Sequence, residues 1–145
     1  MPTIKNLEYT IHERVIYQLK NIDGSANYNF KLMPDYIYDE FKFPEDMVGS
    51  PSVCFGDWVN GGADLSIRNL IQIPFTWTIW GYINTGTDLL GEALKLLSDI
   101  RIAIAGGEHL NNLITGFGCV GEASAYDRIG VVRFEVSGVL PYDLT

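Results

Sequence analysis

The sequence predicts an α+β domain: a mainly antiparallel sheet of about four strands, two principal helices packed on one face, and an extended arm or hairpin. Three observations predict it. Residues 71–83, IQIPFTWTIWGYI, alternate with period two, the pattern of a strand with one face on a core. Leu7, Ile11, Val15 and Leu19 recur every four residues, and Leu90, Ala93, Leu94, Leu97, Ile100 and Ile104 repeat at helical spacing. The strands are joined by short turns with a helix laid across them, which suits helices gathered on one side of an antiparallel sheet.

The 145 residues suit a single domain, 1–145. Residues 3–21 read as the first helix, with Thr3 as N-cap and Gly24 available for positive φ after its end. Residues 28–47, YNFKLMPDYIYDEFKFPEDM, interleave aromatics with acids, and Pro34 and Pro44 keep them out of a central strand. They form the extended arm. A connection of nearly 20 residues in a compact domain usually has a job. SPSVCFGDW, 50–58, is a short strand, and Asn60, Gly61 and Gly62 supply a turn. The alternating strand starts as early as Leu65, and Pro74 marks it as an edge strand, at least over its first half, or as bulged there. Ile71 to Ile79 form its core face, and Trp80 and Tyr82 point outward as contact surface. Thr87 or Asp88 caps the second helix, and Gly106 and Gly107 end it. EHLNNLI adds one or two helical turns. GFGCVGEASAYD is a glycine-rich connection with room for a short strand around 118–123. In the last strand Val132, Phe134 and Val136 face one way, and Arg133, Glu135 and Ser137 the other.

Charged residues make up 19% of the chain against about 25% in an average domain, while hydrophobic residues reach 47%. A chain this light on charge is expected to cover part of its surface with a partner. The net charge of −8 argues against a nucleic-acid binder, which needs Lys and Arg to neutralise phosphates. The polar start and the lack of about 18 uninterrupted apolar residues give no signal peptide or membrane-spanning helix.

No chemistry-bearing motif survives inspection. GFGCVG, 116–121, matches G-x-G-x-x-G, but a helix precedes it and a strand follows, the reverse of a dinucleotide site. His12 sits beside Glu8 and Glu13 on a solvated helix face, His109 stands alone, and Cys54 and Cys119 fit no metal spacing. The two cysteines read as buried thiols, with a single disulfide left open. There is no G-x-S-x-G. The acid pairs Asp39/Glu40 and Glu45/Asp46 are adjacent, so in an extended chain their side chains diverge. No catalytic residue, cofactor or metal is therefore expected, and the chain is expected not to be an enzyme. The residues singled out are the candidate interface of Tyr36, Tyr38, Asp39, Glu40, Phe41, Phe43, Trp80 and Tyr82. Tyr and Phe give contact area at low entropic cost, and acids set register.

Helix YTIHERVIYQLKN, extended insertion, Pro-led strand SPSVCFGDW, alternating strand IQIPFTWTIWGYI, capped helix DLLGEALKLLSDIRIAI and last strand VVRFEVSGVLPYD follow one another over nearly the whole chain. This order and length resemble the tail terminator (tail-completion, minor tail) proteins of tailed bacteriophages. The resemblance implies a virion protein of the tail neck, assembled in the host cytoplasm as a homo-oligomeric, hexameric ring. Such a ring caps the head-proximal end of the tail, ends tube growth, and meets tail tube protein, sheath protein in contractile tails, and the head connector. DNA would only pass through its lumen, where acidic charge prevents sticking. The stretch 33–47 departs from the family pattern, and the resemblance makes it an arm reaching a neighbouring subunit or the tube. Two other readings stay open: a head–tail connector or neck subunit, and a small ligand-binding α+β domain.

Overall fold

The structure, a computed structural model, describes residues 6–47, 49–67, 70–106, 110 and 113–143, with the backbone alone at 64–67 and 143. It is an α+β fold, as the patterning predicts. Helix α1 (Leu7–Leu19) and helix α2 (Leu89–Ala105) lie over a sheet of β1 (Ile37–Tyr38), β2 (Ser52–Asn60), β3 (Asp64–Ile67), β4 (Leu70–Ile83), β5 (Thr115–Tyr126) and β6 (Ile129–Asp143). The strands run in the order β1-β2-β4-β6-β5, with β3 also paired to β4. All pairings are antiparallel except β1 with β2.

The period-four stripe of α1 is core: Leu7, Ile11, Val15 and Leu19 are all buried. The helix begins at Leu7 after Asn6, which takes a left-handed φ of 60° and offers no side-chain cap. The expected cap, Thr3, lies outside the described residues. Gly24 does adopt a positive φ, 81°.

β4 alternates as its sequence does. Phe75, Trp77, Ile79 and Ile83 are buried on one face. Both helices cover that face. The His12 ring of α1 is 5.4 Å from Trp77, and a Cβ added at Gly81 would meet Ile100 and Leu96 of α2 at 3.1 Å. His12 therefore packs on aromatic rings, 5.6 Å from Phe55 as well, rather than on a wholly solvated face.

β4 is the central strand, not an edge, and Pro74 sits in its ladder opposite Val139. The reason is local. In an antiparallel ladder a residue's N–H and C=O point to the same neighbour. The Pro74 carbonyl accepts from Gly61 N at 2.7 Å, so its missing donor also faces the β2–β3 side. There the partner chain is interrupted between Asn60 and Asp64. A second irregularity, between Phe55 and Trp58, changes the parity of β2. It brings Trp58 against Phe75, the rings stacked at 4.6 Å, while Phe55 stacks on Trp77 at 4.8 Å.

In α2, Asp88 is the N-cap, its carboxylate accepting from Gly91 N at 3.1 Å. The buried stripe is Ala93, Leu96, Leu97, Ile100, Ala103 and Ile104, rotated from the sequence expectation. Leu90 and Leu94 are instead 46% and 52% exposed. The rotation is tied to Asp99, fully buried although charged. Its carboxylate accepts from Asn29 N at 2.9 Å, Phe30 N at 2.9 Å and the Asn29 side-chain amide at 3.0 Å. Gly106 closes the helix; Gly107 and His109 lie outside the described residues.

The glycine-rich segment holds the strand expected around 118–123, but longer: β5 pairs with β6 from Thr115 to Tyr126, so the segment is strand rather than connection. Gly121 has a packing reason. A Cβ there would stand 2.5 Å from Leu97 Cδ1 and 3.2 Å from Phe134, so glycine lets α2 lie close on the strand. β6 follows its predicted faces, with Val132, Phe134 and Val136 buried.

Candidate functional site

The arm, 28–47, starts on the helix face and ends on the opposite one. Tyr28, Phe30, Tyr36 and Ile37 pack against the core, and Leu32 belongs to it. Pro34 and Pro44 each open a 3₁₀ turn, where a fixed φ fits and no donor is needed. Between these turns Ile37 and Tyr38 pair with Val53 and Cys54, so the chain passes the sheet edge as β1. It then crosses onto the outer face and is tied there at Lys42. The Lys42 carbonyl accepts from the Tyr82 hydroxyl at 3.1 Å and from the Cys54 thiol at 3.6 Å. Burial pushes both groups' pKa values up from their usual ranges and keeps them protonated donors.

This geometry places each residue of the candidate interface. Tyr36 lies half-buried against Gly49, where an added Cβ would overlap its ring. Tyr38 is half-buried beneath Lys42, whose ammonium lies 5.4 Å from the ring centre. Asp39 and Glu40 are exposed, with Glu40 3.6 Å from Lys42 Nζ. Phe41 and Phe43 point outward, 44% and 58% exposed, in an edge-to-face pair at 5.0 Å. Trp80 is half-covered, with Phe41 edge-on at 6.3 Å and the Arg133 guanidinium 5.9 Å over its ring. Tyr82 is only 4% exposed: this chain's own arm covers it. The outward aromatics of β4 are thus a seat for the arm, and Phe41 and Phe43 are the aromatic surface that the arm presents.

Phe41, Gly56, Asp57, Thr78, Trp80 and Arg133 line an open depression of about 400 Å³ on the outer face. Gly56 leaves room for the indole, since a Cβ there would stand 2.9 Å from Trp80 Nε1. The depression offers one cation, one acid and two aromatic surfaces, a set suited to holding a protein segment rather than to acid–base or nucleophilic chemistry. Arg133 carries no sequence signal beyond its outward parity, and the Lys42 carbonyl carries none.

Cys54 and Cys119 are free thiols on opposite faces of the sheet, Cys54 toward the arm and Cys119 toward α2. The G-x-G-x-x-G glycines lie inside β5, so no helix N-terminus follows them. Among the described residues no three His, Cys, Asp or Glu side chains gather as metal ligands, and no helix is long and apolar enough to cross a membrane.

No family model matches the chain, and no curated protein does. Among solved structures, a chain of the structure described as "Virion of native gene transfer agent (GTA) particle" is similar in fold. The match has a TM-score of 0.51 at 10% identity and covers 95% of this chain and 99% of that one.

Proposed function

We propose that the chain is a structural subunit of a phage-like particle. In this reading it is a tail-terminator-type protein that assembles as a homo-oligomeric ring at the head-proximal end of a tail and does no enzymatic chemistry. One observation carries this: the fold is similar to that of a chain of a virion particle, over 95% of this chain and 99% of that one. The surface supports it. A ring subunit needs two unlike contact surfaces, and this one has an aromatic–acidic arm on one side and, on the other, a strand edge that nothing pairs with among the described residues. The net charge of −8 suits a lumen that passes DNA without holding it. The tube, the sheath of a contractile tail, and the head connector are its expected contacts.

Negative-stain imaging of the purified protein, alone and mixed with the tail tube protein of its own particle, tests the reading. Rings of uniform diameter, and tubes capped at one end, are expected. A protein that stays monomeric in both samples overturns it. Rings that bind the head connector but never the tube end would instead favour a neck subunit.

A further inference from the structure

We infer that the free edge of β5, with the flank of α2 above it, receives the aromatic–acidic arm of a second copy of this chain. The inference rests on the self-assembly just proposed and names the two surfaces that would meet. β5 is the last strand of the sheet, and among the described residues nothing pairs with its outer edge. Twelve residues of open ladder are a liability that chains usually blunt with charge or proline. β5 has no proline and one acid, Glu122.

The α2 flank adjoining this edge is apolar. At 100° per residue, Leu90, Leu94, Leu97 and Arg101 fall within about 60° of one another. Leu97 and Arg101 reach Gly121 of β5, at 2.5 Å and 3.4 Å from an added Cβ, which fixes that side of the helix over the strand. Leu90 and Leu94 stand exposed on it, with Arg101 beside them.

The arm is the complement. It presents Phe41 and Phe43 for the leucines, and five acids against two lysines over 28–47 for the arginine. It cannot reach its own β5. It is tied over β2 and β4, and β5 lies three strands beyond β2, about 14 Å away. A second copy can bring it there. Pairing two β5 flanks with each other would set Arg101 against Arg101 and leave both arms uncovered. The contact is therefore heterologous, flank to arm, and every subunit keeps one of each free to continue.

Two variants separate the surfaces: Leu94→Asp with Arg101→Glu on the flank, and Phe41→Ser with Phe43→Ser on the arm. All four residues are exposed, so circular dichroism and melting curves should match the parent; Arg101→Glu alone serves if the double change perturbs folding. Light scattering is then run on the parent, each variant and an equal mixture. The parent is expected to assemble and each variant to be monomeric. The mixture should stop at dimers, because it holds one intact flank and one intact arm. Folded variants that assemble like the parent, a variant that dimerises by itself, or a mixture that stays monomeric each overturn the inference. Rings from the parent that survive in the variants would sink this contact while leaving the ring reading intact. A monomeric parent, with and without tube protein, sinks the ring reading itself and this contact with it.

Discussion

The hydroxyl of Tyr82 reaches across the outer face of the sheet and donates to the carbonyl of Lys42 at 3.1 Å. That bond joins the central strand to the arm 40 residues earlier in the chain. Tyr82→Phe keeps the ring and removes the bond, so it should cost about 0.5–1.5 kcal/mol. The loss should be local. Amide exchange and protease cutting around residues 40–44 should rise while α1 keeps its protection. Unchanged exchange in the arm would show that ring packing, not the hydroxyl, holds it.

Alkaline pH should loosen the fold through three groups that burial keeps protonated. Cys54 and Tyr82 are raised from ordinary values of 9.0 and 10.0, and Cys119 is pushed up to about 11. In each case burial is the first cause. Above its ordinary value each group ionises in the unfolded chain before the folded one. The unfolded state then binds fewer protons, and stability falls as pH rises. Stability from these groups is fully present below pH 9 and declines from there, through about 11 for Cys119 and with Tyr82 adding above 10. Urea titrations from pH 8 to 11 should show that decline, and Cys119→Ala should make it shallower. An identical slope in that variant would remove Cys119 from the account.

Where the sequence was legible, one period decided the matter. Leu7, Ile11, Val15 and Leu19 keep a period of four among mostly polar neighbours, and Val132, Phe134 and Val136 of β6 keep a period of two with Arg133 and Glu135 between them. In α2 apolar residues occupy two adjoining faces, and the tie-breaker is Asp99. An acidic residue reads as solvent-facing; it is buried because the backbone N–H groups of Asn29 and Phe30, 70 and 69 residues earlier, supply its partners. The length of β5 beyond 118–123 was masked by its glycines, of which Gly121 serves a tertiary purpose, the approach of Leu97. Pro74 was misleading because its tolerance depends on a gap in the neighbouring strand. For the candidate site, the arm and its aromatic content were readable. Which rings it buries and which it presents was not, since that depends on where the chain rounds the sheet edge.

Asp99→Ala should be among the most damaging changes on α2. It strands the Asn29 and Phe30 N–H groups, both bonded at 2.9 Å, beside a fully buried position. Bonds to a charged acceptor are worth about 1.5–3 kcal/mol, so a loss of about 3 kcal/mol is expected. Asp99→Asn keeps one oxygen acceptor and should lose roughly half as much. Denaturant midpoints of the two variants check the ratio; equal losses would mean that the charge matters more than the acceptor.

Gly130→Ala tests the packing of the β6 start under α2. The added methyl would stand 2.7 Å from the Leu89 carbonyl oxygen, 2.9 Å from Ile83 Cγ2 and 3.1 Å from Ala93 Cβ. The first of these is backbone and cannot swing aside, so overpacking should cost about 1–3 kcal/mol. Gly62→Ala, with open space around the added methyl, is the control and should change stability by less than about 0.5 kcal/mol. A calorimetric melt of both variants settles the comparison.

The arm's aromatic residues should divide by role. Tyr36 is half-buried on the core and seated against Gly49, whereas Phe43 is 58% exposed and touches Phe41 at its edge. Truncating a half-buried aromatic gives up part of the 1.5–3 kcal/mol that full burial supplies, so Tyr36→Ser should cost about 1–2 kcal/mol. Phe43→Ser loses one exposed ring pair and should stay within about 1 kcal/mol of the parent. Assembly should respond in the opposite order. Phe43→Ser should weaken self-association at unchanged melting temperature, and Tyr36→Ser should lower the melting temperature first. Melting curves and light scattering on the same two samples read both quantities. If Phe43→Ser melts early and still assembles, the exposed ring is a structural part of the arm and not the surface it presents.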